Sequence, residues 1–185
     1  MTLTTTSGAI VFTDIVGFTE LTHTHGDDVA LSLLERQETL VRAALGDGEC
    51  ARVVKELGDG LLLWFDDPRD AMVTCLRLQR MFEDSSLDDD DDPDAHIPLW
   101  VRIGVHFGCP RRRRDDIIGH DVNLAARIVE LAAPGEVLCS QATADAIGEL
   151  PGVAFEQLGP VFVRGISEPV PIVRAVESAS ASASA

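Results

Sequence analysis

The chain has 185 residues, of which 45% are hydrophobic, so it is long enough to bury the core of one domain without disulfides. Its formal net charge of −16 makes nucleic acids and anionic membranes poor partners. Its four cysteines stand far apart without metal-ligand spacing, and no signal peptide or membrane-length apolar run is visible. We therefore expect a cytoplasmic protein with reduced thiols.

The first predicted elements are a strand and a long helix. Residues 9–12 form a short apolar run rich in β-branched side chains, which predicts a buried strand that ends near Asp14. Gly17, Phe18 and Thr19 then open one long helix, with Thr19 or a neighbour as its cap. This helix is expected to end in the Gly-Asp-Gly segment at 46–48.

A hairpin follows, with strands at 52–57 and 61–65 folded at Gly58-Asp59-Gly60. If the hairpin and the first strand are neighbours, the carboxylates of Asp14 and Asp59 converge at one end of a sheet. Such oxygen ligands suit Mg²⁺, and two metal ions can clamp the attacking and leaving oxygens of a phosphoryl transfer. A plain hairpin turn at Asp59 and a helix cap at Asp14 remain open alternatives.

The remaining elements are helices at 69–82 and 119–133, a strand at 99–108, and a short strand at 137–139 followed by a short helix. Further strands are predicted around Val153, Val161 and Val170. This order indicates an α+β sandwich, with one sheet and helices on one side. We expect one domain over 1–177, interrupted by a mobile acidic loop at about 84–96, and a disordered Ser/Ala tail at 178–185.

The helix that follows Gly119 has a narrow polar stripe. Asn123, Arg127 and Glu130 recur at i, i+4 and i+7 on a helix that is otherwise almost entirely apolar. The stripe is either the solvent side of the helix or a carboxamide and a guanidinium placed to reach an oxyanion. In the second case Arg127 would stabilise the transition state of a phosphoryl transfer.

Lys55 is the only lysine of the chain, and Asp116 offers the complementary group. An ammonium only donates hydrogen bonds and an ionised carboxylate only accepts them. Together they could read an adenine edge, with Lys55 donating to N1 and Asp116 accepting from the N6 amine. Guanine presents the opposite pattern there, so its polar groups would be left unpaired. A simple exposed strand lysine is the alternative.

Four segments in this order resemble the class III nucleotide cyclase catalytic domain, over residues 8–176. They are FTDIVGFT at 12–19, KELGDG at 55–60, RIGVHFG at 102–108 and DIIGHDVNLAAR at 116–127. Each segment alone is a weak signal, whereas all four together are specific. The resemblance implies the ferredoxin-like βαββαβ core of these cyclases, an antiparallel-rich sheet with helices packed on it.

The resemblance also implies roles for individual residues. Two Mg²⁺ or Mn²⁺ ions per site would be held by Asp14, Asp59 and the backbone carbonyl of Ile15. Lys55 and Asp116 would select the purine in the form similar to adenylyl cyclases. The other implied substrate contacts are Asn123 on the ribose, Arg127 on the α-phosphate, Gly17, Phe18 and Thr19 at the phosphates, and Arg164 on the triphosphate.

Members of this family work as head-to-tail homodimers with shared active sites. The metal-binding aspartates would come from one subunit, and Lys55, Asp116, Asn123 and Arg127 from the other. The resemblance therefore implies an adenylyl cyclase that makes 3′,5′-cyclic AMP and pyrophosphate from ATP. A guanylyl cyclase and a non-catalytic nucleotide-binding module with the cyclase fold are the alternatives.

Overall fold

The computed structural model describes residues 6–46, 48, 50–85 and 97–178. The acidic run at 86–96 and the tail at 179–185, which the sequence predicts to be mobile, lie outside the described residues. No helix within the described ranges is long and apolar enough to cross a membrane.

In the described part of the chain, seven strands form one sheet and two short strands form a separate hairpin. The strands of the sheet are β1 (Gly8–Ile15), β2 (Ala51–Leu57), β3 (Gly60–Phe65), β4 (Val101–Gly108), β7 (Val137–Ser140), β8 (Val153–Val161) and β9 (Val170–Glu177). Their order in the sheet is β2-β3-β1-β4-β7-β9-β8, and neighbouring strands pair antiparallel except β4 and β7, which run parallel. The small hairpin consists of β5 (Arg111–Arg113) and β6 (Asp116–Ile118).

Within the described residues, five helices connect these strands: α1 (Phe18–His25), α2 (Asp27–Leu45), α3 (Pro68–Asp84), α4 (His120–Leu131) and α5 (Gln141–Ile147). From β1 to β4 the chain therefore runs βαββαβ, with helices α1 and α2 filling the first connection and α3 the second. Together with the strand order, this confirms the predicted ferredoxin-like α+β core.

The prediction of a single long helix after Thr19 is wrong, because the segment is divided at Gly26. Gly26 has φ 92° and ψ 174°, a conformation that side chains rarely adopt, and its N–H ends α1 by donating to the carbonyl of Thr22. Thr19 does not cap the helix either, since α1 begins after Gly17 and has no side-chain cap.

The prediction that the helices lie on one side of the sheet is also wrong. Helices α2, α3 and α5 bury Leu33, Leu78 and Ile147 on the face that carries Val11 and Leu63. Helix α4 packs on the opposite face. There Val122, Ala125 and Val129 join Ile10, Phe12 and Trp64 in a second apolar cluster. Strand β1 is buried on both faces, which explains its continuous apolar run.

Two further details of the strands differ from the prediction. The strand predicted around Val153 and the one around Val161 are a single strand, β8, with an irregular register between Gln157 and Gly159. The hairpin β5–β6 was not predicted, because its first strand consists of three exposed arginines without apolar alternation.

Candidate functional site

The two candidate metal ligands lie at one end of the sheet. Strands β1 and β3 are neighbours, with Asp14 opposite Gly60, and Asp59 occupies the turn between β2 and β3. Partial burial raises the pKa of the Asp59 carboxyl, and the negative charge of Asp14 adds to that effect. The backbone of Asp59 and the charge of Arg102 act in the opposite direction. The two carboxylates are therefore close enough to repel each other.

Arg102 holds the carboxylate of Asp14. It lies opposite Asp14 in the β1–β4 ladder, and its Nε and Nη2 donate to Oδ2 at 2.7 and 2.6 Å. Its Nη1 also donates to the carbonyl of Glu130 at 3.3 Å, near the end of α4. The sequence analysis gave Arg102 no role, although it opens the RIGVHFG segment, because the partner of a strand residue depends on register.

The donor chemistry of this end of the sheet fits a divalent cation. The carboxylates of Asp14 and Asp59 together carry more negative charge than the guanidinium of Arg102 neutralises. Hard cations prefer such carboxylate oxygens. No group of three or more His, Cys, Asp or Glu side chains forms a metal cluster in the described part of the chain. Further ligands would therefore be the carbonyl of Ile15, which remains a prediction, and the substrate itself.

Lys55 and Asp116 form an ion pair. The Nζ atom lies 2.9 Å from both carboxylate oxygens, and each side chain is a little more than one-third exposed. The backbone N–H of Ile117 also donates to Oδ1 of Asp116, at 2.8 Å. The pair borders an open cavity of about 430 Å³, whose other lining residues include Arg113 and Arg114 of the hairpin.

A β-bulge in β2 puts Lys55 on the same side of the sheet as Asp116. The register changes from Val53 opposite Leu63 to Lys55 opposite Leu62, so Val54 is an extra residue in β2. Directly opposite residues share a face of the sheet, and Leu62 belongs to the α4 face. Without the extra residue, strict alternation would send Lys55 to the other face, away from β6.

Helix α4 carries the predicted Asn-Arg pair on its outer side. Asn123 is exposed, Arg127 is half-buried, and the guanidinium of Arg127 pairs with the carboxylate of Glu130 one turn later. The helix lies very close to β4. A Cβ added at Gly104 would stand 2.3 Å from the backbone nitrogen of Val129, so only glycine fits there.

A buried histidine fixes the beginning of α4. His106 on β4 lies 2.7 Å from the hydroxyl of Ser140 through Nδ1 and 3.6 Å from the carboxylate of Asp121 through Nε2. Burial lowers the pKa of His106, and the charge of Asp121 partly offsets this. Asp121 also accepts from the backbone N–H of Cys109 at 2.7 Å. These contacts join α4, β4 and β7.

The remaining predicted residues lie elsewhere on the surface. Gly17 has a left-handed φ of 72° and precedes α1, where Phe18 is half-buried and Thr19 is exposed. Phe18 and Thr19 border a second open cavity, of about 560 Å³. Arg164 lies exposed in the turn after β8. Nothing in the structure tests their predicted contacts with phosphate.

Two separate clusters result. One contains Asp14, Asp59 and Arg102, and the other contains Lys55 and Asp116. Among the described residues, no hydrogen bond or ion pair joins these clusters, and none joins Asp14 or Asp59 to Asn123 or Arg127.

Comparison with known proteins finds relatives of this chain. Residues 4–173 match the family model described as the adenylate and guanylate cyclase catalytic domain. A pH-sensitive adenylate cyclase of Mycobacterium tuberculosis, MT1302, is 30% identical over an alignment of 170 residues that covers 89% of this chain. The chain spans only 39% of the length of that relative.

Solved structures share the fold. The adenylyl cyclase CyaB from P. aeruginosa superposes with a TM-score of 0.78 at 25% identity, over 96% of this chain and 97% of that one. The guanylyl cyclase Cya2 reaches a TM-score of 0.82 at 19% identity, over 99% of this chain and 98% of that one. Because a structure named for each nucleotide superposes about equally well, the fold does not distinguish between the two substrates.

Proposed function

The chain belongs to the family of adenylate and guanylate cyclase catalytic domains, and we propose that it is an adenylyl cyclase. It would convert ATP to 3′,5′-cyclic AMP and pyrophosphate. In this reaction the ribose 3′-hydroxyl loses its proton to solvent, and its oxygen forms a bond to the α-phosphorus. The bond from that phosphorus to the bridging oxygen of the β-phosphate breaks, and pyrophosphate leaves with the bonding electrons.

The observation that carries the choice of ATP is the contact between Lys55 and Asp116. The pair puts a pure donor next to a pure acceptor, which matches the N1 acceptor and N6 donor of adenine. Guanine would place its O6 acceptor at Asp116 and its N1–H donor at Lys55. Two mismatched polar contacts in a half-buried site would then disfavour GTP.

The reacting groups would be held by residues of both clusters. Asp14 and Asp59, with the carbonyl of Ile15, would hold Mg²⁺ or Mn²⁺, which when bound supplies Lewis-acid activation of the 3′-hydroxyl and neutralises phosphate charge. Asn123 would orient the ribose through its carboxamide. Arg127 would exchange Glu130 for the α-phosphate oxygens, where negative charge builds up in the transition state.

We further propose that two copies of the chain share each site. The aspartate cluster and the Lys55–Asp116 cluster have no direct link within the described chain, while Asn123 projects outward. A head-to-tail homodimer would bring the aspartates of one protomer close to four residues of its partner. These are Lys55 and Asp116, which would read the base, together with Asn123 and Arg127. Its two-fold symmetry would give two equivalent sites.

The test is the identity of the product. Purified protein incubated with Mn²⁺ should form cyclic AMP from ATP at a kcat/KM at least about tenfold higher than that for cyclic GMP from GTP. Asp14→Ala should abolish both activities, because one ligand of the metal site is lost. The control variant Arg42→Met, which breaks an exposed ion pair with Glu38, should retain them. Equal or faster turnover of GTP would contradict the choice of ATP, and no product from either nucleotide would contradict the enzyme assignment.

A further inference from the structure

The hairpin that carries Asp116 is too small to hold itself in place. Strands β5 and β6 have three residues each, and an isolated two-stranded hairpin is at best marginally stable in water. Ile117 fixes one side of it, since this side chain is 1% exposed within the apolar cluster of α4. Asp115, immediately before Asp116, is exposed in the turn. The position of the Asp116 carboxylate therefore depends on whatever holds that turn.

Arg52 holds the turn. Its Nη1 donates to the backbone carbonyl of Asp115 at 3.1 Å. Arg52 lies on β2 opposite Trp64, a member of the α4 face, and the bulge at Val54 puts Lys55 on that same face. One strand thus supplies both the lysine of the ion pair and the arginine that anchors the residue next to Asp116.

The surroundings of Arg52 are not those of a residue placed for stability alone. Its Nη2 atom is buried and has no hydrogen-bond partner among the described residues, which is unfavourable for a charged donor. Burial lowers the pKa of Arg52, and the nearby charge of Arg112 lowers it further, while the charges of Asp115, Asp66 and Asp116 raise it. Among the described residues, the hydrogen bond of this half-buried arginine is the one to the turn carbonyl of Asp115.

We propose that Arg52 is a positioning residue for nucleotide selection, which fixes the Asp116 carboxylate relative to the Lys55 amine. A role in nucleotide selection rests on the proposed function. The positioning of Asp116 by Arg52 can be tested without catalysis. Loss of the anchor would let the turn move, so the acceptor and the donor would no longer keep the spacing that adenine requires.

The first experiment measures selectivity. Steady-state kcat/KM for ATP and for GTP would be compared in wild type, Arg52→Met and Arg52→Lys. We expect the ATP:GTP ratio to fall at least about fivefold in Arg52→Met, since misplacement of a recognition group weakens discrimination. Arg52→Lys should stay within about twofold of wild type, because an ammonium can still donate to the Asp115 carbonyl. Arg80→Met, which removes an exposed pair with Glu177, is the matched control and should leave the ratio unchanged.

The second experiment uses the fact that Lys55 is the only lysine of the chain. Its acetylation by acetic anhydride, followed by residue-resolved mass spectrometry with the α-amino group as internal reference, reports on the ion pair without any nucleotide. Arg52→Met should acetylate at Lys55 about two- to fivefold faster than wild type, because a loosened pair frees the amine. If Arg52→Met does not fold, Arg52→Gln replaces it in both experiments.

Each outcome is decisive. An unchanged ATP:GTP ratio, or an unchanged rate at Lys55 in a folded variant, would overturn the role of Arg52. A wild type that makes no cyclic nucleotide would overturn the proposed function instead, and the acetylation rate would still decide whether Arg52 holds the pair.

Discussion

Asp14 has one positively charged partner among the described residues, Arg102, and would have a second in the metal ion that we propose. In this structure Arg102 neutralises its carboxylate through two hydrogen bonds, next to the partly buried carboxyl of Asp59. A divalent cation held by both aspartates would have to displace or share that contact. We therefore expect Arg102 and the proposed metal ion to compete for Asp14, and release of Arg102 would leave its guanidinium free for another anion.

We predict that Arg102→Met increases the response of the protein to Mn²⁺. Without the arginine, the two carboxylates repel each other and bind a cation more tightly, so Mn²⁺ should raise the thermal unfolding temperature about 2–4 °C more than in wild type. Thermal unfolding with and without Mn²⁺ measures this directly. Arg42→Met, which breaks an exposed pair with Glu38, should respond like wild type. An equal or smaller response of Arg102→Met would contradict the competition.

Individual residues differed in how far they could be predicted. Lys55 and Asp116 stand out because a lone lysine and a complementary carboxylate have opposite hydrogen-bonding capacity, and the structure brings them into contact. Arg102 and Arg52 could not be found in this way. Their partners, Asp14 and the carbonyl of Asp115, follow from strand register and from the fold of a hairpin that has no apolar pattern.

Helix α4 is the element whose position matters most for the proposed chemistry, because it carries Asn123 and Arg127. Its distance from the sheet is set by Gly104 of β4, where the backbone of Val129 leaves no room for a side chain. Its beginning is fixed by Asp121 through His106 and the N–H of Cys109. The helix is thus held against the sheet at both ends.

We predict that Gly104→Ala lowers both stability and activity. The added methyl group would meet backbone atoms of α4, which cannot rotate away, so the helix must shift at a cost of about 1–3 kcal/mol in unfolding free energy. Urea denaturation measures this change, and kcat should fall more than KM rises, because Arg127 moves with the helix. Gly48→Ala, which adds its Cβ to open space, should stay within about 0.5 kcal/mol of wild type. Unchanged stability of Gly104→Ala would show that α4 is not packed as described.

Elements with a strong apolar period were predictable, and their arrangement was not. The buried run of β1, the hairpin β2–β3 and the Asp67-Pro68 start of α3 all follow from local sequence, and the Asp67 side chain accepts from the N–H of Arg69 as a cap. The break at Gly26 was missed because an isolated glycine within a helical pattern is tolerated and does not by itself end a helix. The face on which α4 packs was missed because periodicity identifies the buried side of a helix, not the side of the sheet it covers.

At the scale of the whole molecule, the chain carries two clusters and a net charge of −16 that repels a polyanionic nucleotide. Local positive charge at Lys55, Arg102 and the exposed hairpin arginines would offset that repulsion. We propose that the two clusters act together in a head-to-tail dimer of the chain. Neither charge nor fold alone identifies the nucleotide, which depends on the small number of residues around Lys55 and Asp116.

Mixing two inactive variants tests the shared site most directly. Asp59→Asn lacks a metal ligand and Arg127→Ala lacks the phosphate-stabilising guanidinium, so neither protein alone should make cyclic AMP. In a mixed dimer, one of the two sites combines an intact Asp59 with an intact Arg127 from the other protomer. If the protomers exchange freely in an equimolar mixture, we predict recovery of about a quarter of wild-type cyclic AMP formation. No recovery, in a mixture shown to contain mixed dimers, would contradict the claim that each site is built from two chains.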